Sequence, residues 1–386
     1  MSSKKDKCVV IIPTIHNISQ SKSVECYIQQ MLIEDFVMPI CVVDNSESHI
    51  YEANRFYLEE IKGRFEGKVT LYHFGKQEQT IFFCELAKKG IDRESIEILK
   101  NSSGYGASRN KCFLIAKSLG AESIFFFDDD TRPNGAIFKA HFEILGREKD
   151  SQKISIVSGP YTGVRGINFT FIENRTDQIK FLEALGHHGE SSLHYLTSRE
   201  ATRENSPVES SEHHFETVKN IRGGNFLIGA IYGDIVCPTT KQAPGIDDTF
   251  VARRVIEKGH QVVKSRKSVI HEHFQFKSNK HSILAYLESW ARTISFESLY
   301  NGMNFDTTIN NILRYGNVLL TIENQYCTSI GKKIQAKEYT TSLINDISFS
   351  INDYQKLKNT WKHIIALCSS VKLFPMKKYE KISINH

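Results

Sequence analysis

Three acids in a row, Asp128, Asp129 and Asp130, follow a wholly apolar run, Ile124 to Phe127. That run has the length and bulk of a strand buried on both faces. Carboxylates crowded where such a strand leaves the core repel one another unless a cation sits between them. Hard oxygen ligands at this spacing suit Mg2+ or Mn2+, and an ion bound in this way usually also holds phosphates. The plainer alternative is a turn, since Asp followed by Thr-Arg-Pro-Asn is good turn chemistry. A second acid pair, Asp247 and Asp248, opens a predicted helix, where the dipole favours carboxylates. Further on, SVIHEHF sets His271 and His273 two apart, on one side of an extended segment.

The elements that must position these groups read as an alternation of strand and helix. Residues 8 to 12 (CVVII) form a continuous apolar run stopped by Pro13, a central parallel strand with Thr14 and His16 at its end. Val24, Tyr27, Ile28, Met31 and Leu32 repeat at helical spacing behind a Ser N-cap. A second strand, Ile40 to Val43, ends at Asp44-Asn45-Ser46, and a helix runs from there to about Ile61. Residues 68 to 74 alternate as a third strand. A glycine-rich loop (Gly104, Gly106) then feeds a helix ending at Gly120, followed by the strand to Asp128. This is the pattern of an α/β fold with a mostly parallel sheet, in which ligands gather at the carboxyl ends of the strands. Asp44 there has two readings: an acceptor for a base or ribose, or an Asx-turn or helix N-cap.

The middle of the chain is less regular. Ile154 to Val157 reads as a strand closed by Gly159-Pro160, and Gln261 to Val263 as another. Between them, His187, His188, His194, His213 and His214 fit no established ligand spacing, so the segment reads as a loop over an acceptor site. Gly223 and Gly224 permit close approach of backbone to a ligand. Beyond residue 278 the pattern turns helical: Ile283 to Ile294, Ile309 to Leu320, and Leu357 to Cys368, the last with Asn352 as its cap. The expected division is an α/β domain over 1–277 and a helical region over 278–386.

A chain of 386 residues has ample length for a large core. A net charge of +5 is mild, and no basic block dominates, which argues against a nucleic-acid partner. The 8 cysteines form no C-x-x-C pair, so neither a zinc knuckle nor a redox motif is expected. Buried thiols such as Cys8 and Cys41 point to a reducing compartment. The polar N-terminus MSSKKDK and the lack of a membrane-length apolar run make a cytoplasmic location the expectation. Lys372, Lys377, Lys378 and Lys381 around Phe374 and Pro375 are either a solvated tail or a peripheral membrane contact.

Taken in order, four segments resemble the GT-A glycosyltransferases, most closely glycosyltransferase family 2. VVIIPT resembles the family's first strand, and VVDNS its nucleoside-binding segment, with Asn45 at the second Asp. GYGASRNKCFLIAKSLGAESIFFFDDD resembles its G-x-x-x-A-R-N helix and D-x-D metal motif. IDDTFVARR resembles its E-D-x-x-L-x-x-R segment, with Asp247, Asp248 and Arg254 at the Glu, Asp and Arg. The resemblance covers roughly residues 7 to 275. It implies a nucleoside-diphosphate sugar as donor, a UDP-sugar by family frequency, with Thr14, Asp44, Asn45, Gly106, Arg109 and Asp129 at its site. It also implies Mn2+ or Mg2+ held by Asp128 and Asp130, with His271 completing the shell and His273 its rival.

The chemistry so implied is inverting sugar transfer. A divalent cation offsets the charge growing on the departing diphosphate. Asp248 takes the proton of the acceptor hydroxyl, on a glycan, lipid-linked or protein-linked acceptor. The neighbouring Asp247 raises its proton affinity. The plain reading of that pair is two helix N-terminal acids satisfying backbone N–H groups. Two other classes stand beside this one: a nucleotidyltransferase acting on a sugar phosphate, and a non-catalytic nucleotide-sugar-binding protein. The stretch after Gly224 reads Phe-Leu-Ile-Gly where the family carries an arginine pair.

Overall fold

Apolar runs with β-branched residues fill the centre of the sheet in a computed structural model. It describes residues 7–102, 104–163, 176, 215–219, 221, 223–239, 248–271, 336–373 and 376, with backbone only at 163, 249 and 336–350. Strand β1 (Cys8–Thr14) is buried along Cys8 to Ile12 and pairs in parallel with β2 (Ile40–Asp44) and β4 (Ser123–Phe127). Strand β3 (Leu71–Phe74) adds to β2, also in parallel. Strands β7 (Gln152–Ser158) and β11 (Gln261–Ser265) run the same way, while β10 (Asn225–Ile228), β9 (Phe215–Thr217) and β6 (Glu148–Lys149) run against them. The sheet order is β3-β2-β1-β4-β10-β7-β11-β9, with β6 paired to β7. This is the expected mixed α/β architecture with a mostly parallel sheet.

β1 does not stop at Pro13. Val10 donates its N–H to Pro39 and Thr14 accepts from the N–H of Asn45, so both turn toward β2. The alternation of the strand then turns Pro13 toward β4, and that ladder has already ended at Ile11↔Phe126. A residue without an N–H therefore costs no bond there.

Helices α1 (Ile18–Ser21), α2 (Ser23–Ile33) and α3 (Ser48–Arg64) follow the first two strands. Helices α4 (Lys76–Lys88) and α5 (Arg93–Asn101) occupy a stretch for which the sequence pattern predicted nothing. Helix α6 (Gly104–Ser118) begins at Gly104 itself, so the two glycines lie in its first turn and not in a loop before it; Gly104 has φ +84°, open to glycine. Helix α7 (Phe138–Ile144) and a 3-10 turn (Ala230–Asp234) complete the middle, and α8 (Asp248–Glu257) precedes β11.

The last helix, α9, spans Ala336–Cys368, so Asn352 is interior and caps nothing. No glycine or proline interrupts 336–368, and nothing in the local sequence ends the helix where Asn352 stands. Tyr354, Leu357, Trp361, Ile364 and Cys368 are buried in one core cluster with α4, α5 and α6 residues such as Phe82, Leu99 and Phe113. Ser118 Oγ donates to the Cys368 carbonyl at 2.9 Å, and Ser95 and Thr360 hydroxyls meet at 3.1 Å. After the helix, the Met376 N–H donates to the Leu71 carbonyl on the edge strand β3 at 3.1 Å. The helices expected at 283–294 and 309–320 lie outside the described residues.

A second, three-stranded sheet stands at the carboxyl edge: β5 (Thr131–Pro133), β12 (Val269–His271) and β8 (Tyr161–Gly163), in the order β5-β12-β8. Its register sets His271 opposite both Thr131 and Gly163. No helix among the described residues is long and apolar enough to cross a membrane.

Candidate functional site

The carboxyl ends of β1, β2 and β4 fall at one edge because the ladders place them level: Thr14 pairs with Asp44, and Ile11 with Phe126. Where β4 ends, the chain turns through the acid triplet. The Asp128 carbonyl accepts from Thr131 N–H at 3.2 Å and Thr131 Oγ1 at 2.8 Å, and Tyr27 holds that hydroxyl at 2.8 Å. The turn reading of the triplet is thus correct for its backbone, and leaves its side chains for other work.

Asp128, Asp130 and His271 offer ligand atoms that all lie within 4.8 Å of one another, each half-buried. His271 Nε2 is 3.1 Å from Asp130 Oδ1. Burial, and then the charge of Asp130, pushes the Asp128 carboxyl up to about 6, against the pull of His271, a Tyr161 hydrogen bond and Arg109. Two carboxylates and an imidazole around one point, with one acid resisting ionisation, form a donor set that a Mn2+-like ion fits: its charge would relieve the repulsion. His273 lies outside the described residues, as do the five histidines between 187 and 214.

Tyr161, which the sequence did not single out, reaches the same place. Its hydroxyl donates to Asp128 Oδ2 at 2.8 Å and accepts from the Gly224 N–H at 2.5 Å. Its ring lies against His271, centroids 4.8 Å apart. Burial, then the Asp128 charge and hydrogen bond and the charge of Asp248, hold the phenol well above its ordinary range, so it stays protonated. A Cβ at residue 224 would overlap the Asp128 carboxylate, which explains glycine there. No local motif flags Tyr161; it follows Gly159-Pro160 in an irregular stretch.

Asp248 is the first residue of α8, half-buried, and its charge is felt at Tyr161. Asp247 lies outside the described residues.

The middle acid of the triplet turns the other way. Thr14 Oγ1 donates to Asp129 Oδ2 at 2.5 Å, and His16 Nδ1 lies 3.2 Å from the same oxygen. Burial lowers the proton affinity of His16, but the Asp129 hydrogen bond and the charges of Asp129 and Asp130 outweigh it and leave it raised.

Asp44 is buried, and its carboxylate is engaged within the chain. Oδ1 accepts from the Ser46 N–H at 2.9 Å and from the Ser46 hydroxyl, an Asx-turn. Oδ2 accepts from Asn54 Nδ2 at 2.9 Å and lies 3.0 Å from His73 Nε2. Burial would raise its pKa, yet these bonds from His73, Ser46 and Asn54 lower it. Asp44 therefore anchors the loop that carries Asn45.

Asn45 ties that loop to two helices: Nδ2 donates to Ser108 Oγ at 3.3 Å, and Oδ1 accepts from Gln79 at 3.2 Å and Lys111 at 3.3 Å. Lys111 is buried, and burial brings its ammonium down to about 8. Gly106 is buried in the first turn of α6. Arg109, also expected at the ligand, is 3% exposed. Its guanidinium lies 4.2 Å from the Phe126 ring centroid and 5.1 Å from that of Phe226, and Nη2 donates to the Gly223 carbonyl at 3.3 Å. It is a supporting post under the glycine pair.

Fold and site together define an α/β protein with an acidic, cation-fitting centre at the carboxyl edge of its sheet. No protein-family profile matches the sequence, and no curated protein sequence matches it. Solved structures similar to this chain include a mannosyltransferase, TarS and a glucosyl-3-phosphoglycerate synthase. A mannosyltransferase from Pyrobaculum calidifontis in complex with GDP-Man and Mn2+ is 12% identical, covering 94% of this chain and 86% of its own, with a TM-score of 0.44. S. aureus TarS 1-349 is 13% identical over 92% of this chain and 91% of its own, TM-score 0.40. Glucosyl-3-phosphoglycerate synthase from Mycobacterium tuberculosis, in complex with Mn2+, uridine diphosphate and glucosyl-3-phosphoglycerate, is 10% identical over 78% and 81%, TM-score 0.40.

Proposed function

We propose that the chain is a GT-A glycosyltransferase that moves a sugar, with inversion, from a nucleoside-diphosphate sugar to an acceptor hydroxyl. The observation that carries this reading is the convergence of Asp128, Asp130 and His271 at the strand ends, within 4.8 Å. Asp248 lies close enough for its charge to act on the Tyr161 hydroxyl that holds Asp128. Asp128, Asp130 and His271 would hold Mn2+ or Mg2+. Such an ion, when bound, supplies charge stabilisation for a departing diphosphate. Thr14, Asn45, Gly106 and Asp129 line the donor side, with Asp44 and Arg109 fixing the loops around them. A UDP-sugar is the expected donor, and a glycan, lipid-linked or protein-linked hydroxyl the acceptor. Asp248 takes the acceptor proton, and Asp247 beside it disfavours the ionised form enough to make it a better base. Residues 1–277 would hold donor and catalytic groups, with the C-terminal helix buttressing α5 and α6.

A panel of nucleotide sugars, incubated with and without Mn2+, tests the reading directly. Transfer that requires the metal and falls in Asp248→Asn while donor binding persists supports it. Turnover without any divalent ion, or full activity in Asp248→Asn, defeats the mechanism. Release of pyrophosphate from a nucleoside triphosphate and a sugar phosphate would favour the nucleotidyltransferase instead.

A further inference from the structure

We infer that Tyr161 is a positioning residue for the cation site: its hydroxyl fixes Asp128 in the pose from which that carboxylate meets a metal. The inference rests on the metal reading above and deepens it.

A carboxylate at the end of a strand can rotate, and a rotating ligand binds weakly. Asp128 is held at one oxygen only by described side chains. The Tyr161 hydroxyl gives its single proton to Oδ2 at 2.8 Å. The hydroxyl is itself fixed, because it accepts the Gly224 N–H at 2.5 Å. The glycine pair is held from its other side, where Arg109 donates to the Gly223 carbonyl at 3.3 Å. Tyr161 also begins β8, whose pairing with β12 brings in His271, and its ring packs on that imidazole at 4.8 Å. One side chain thus orients two of the three candidate ligands. With Oδ2 engaged by a phenol, the carboxylate is held in one orientation beside Asp130 and His271. Outer partners that orient metal ligands typically contribute about 10–100-fold to metal affinity.

The test titrates metal-free protein with Mn2+ and follows free ion by electron paramagnetic resonance. Tyr161→Phe removes one oxygen and keeps the ring against His271; circular dichroism checks its fold. Tyr232→Phe is the control: Tyr232 is a buried core tyrosine whose hydroxyl donates to the Ala121 carbonyl at 2.5 Å. Tyr161→Phe is expected to weaken Mn2+ binding by about 10–100-fold, with Tyr232→Phe unchanged and sugar transfer by Tyr161→Phe restored at saturating Mn2+. The inference is overturned by a loss in Tyr161→Phe smaller than about tenfold, by an equal loss in Tyr232→Phe, or by activity that excess Mn2+ does not restore. If the native protein itself binds no Mn2+, the metal reading falls and takes this inference with it. Tight native binding with an indifferent Tyr161→Phe removes the inference alone.

Discussion

Gly224 and Asp128 approach so closely that a Cβ on residue 224 would overlap the carboxylate and lie 2.5 Å from the Tyr161 hydroxyl. Gly224→Ala should therefore displace the Asp128 carboxylate and the Tyr161 hydroxyl that meets it. Overpacking of this kind costs about 1–3 kcal/mol. Urea unfolding is expected to show that loss, and Mn2+ titration a far larger loss of binding. A variant that binds Mn2+ as the native protein does would mean the two residues do not share one site.

Asp130→Asn and His271→Gln each remove a candidate ligand. Both should weaken Mn2+ binding more than the ~10–100-fold expected for an outer partner. Isothermal titration calorimetry measures it, and circular dichroism should show the fold retained.

Proton and cation compete for Asp128, whose carboxyl titrates at about 6 in the metal-free state. Above that pH the group is ionised and adds no pH dependence to binding. Below it, Mn2+ affinity should fall by up to ~tenfold per pH unit from this group alone. Titrations across roughly pH 5 to 8, which bracket the Asp128 transition, decide it. Flat affinity through that span would contradict the assignment of Asp128 as a ligand.

Lys111 gives a stability signature on the alkaline side. Folded, it titrates at about 8; unfolded, near its ordinary 10.5. Between these values the unfolded chain binds the extra proton, so stability contributed by this group rises with pH. Below about 8 it is charged in both states, and the cost of burying the charge is paid in full. The difference in stability between native protein and Lys111→Met should change by up to ~1.4 kcal/mol per pH unit across that window. Parallel denaturant curves at several pH values measure it, and parallel displacement without a change of slope would refute the shift.

Trp361 anchors α9 in the core shared with α5 and α6, and is 2% exposed. Trp361→Ala should cost about 3–5 kcal/mol. A single cooperative unfolding transition, shifted as a whole, is expected if the helix belongs to the same folding unit. A separate early transition would show that it does not.

The strands β1, β2 and β4, the helices α2, α3 and α6 and the acid triplet were legible in the sequence. Buried parallel strands are continuous apolar runs and amphipathic helices repeat at their own period, so both leave a local record. Asp128, Asp130 and Asp248 were marked by charge standing beside such runs. Helix α4 left a weaker record: KQEQTIFFCELAK mixes its apolar residues among polar ones.

What local pattern could not carry is which distant segments meet. His271 stands beside Asp130 because β12 pairs with β5, and Tyr161 stands beside Asp128 because β8 pairs with β12. Those pairings depend on backbone registers set by packing across the whole sheet edge, not on any neighbouring residue. The same holds for Asp44 and Arg109. Their carboxylate and guanidinium meet His73, Asn54, Phe126 and Phe226, partners brought in by tertiary packing. Local pattern thus marked β1, β2, β4, the acids and the edge at which they gather; which side chains face one another there was settled by packing, because hydrophobic periodicity is a local property and register is not.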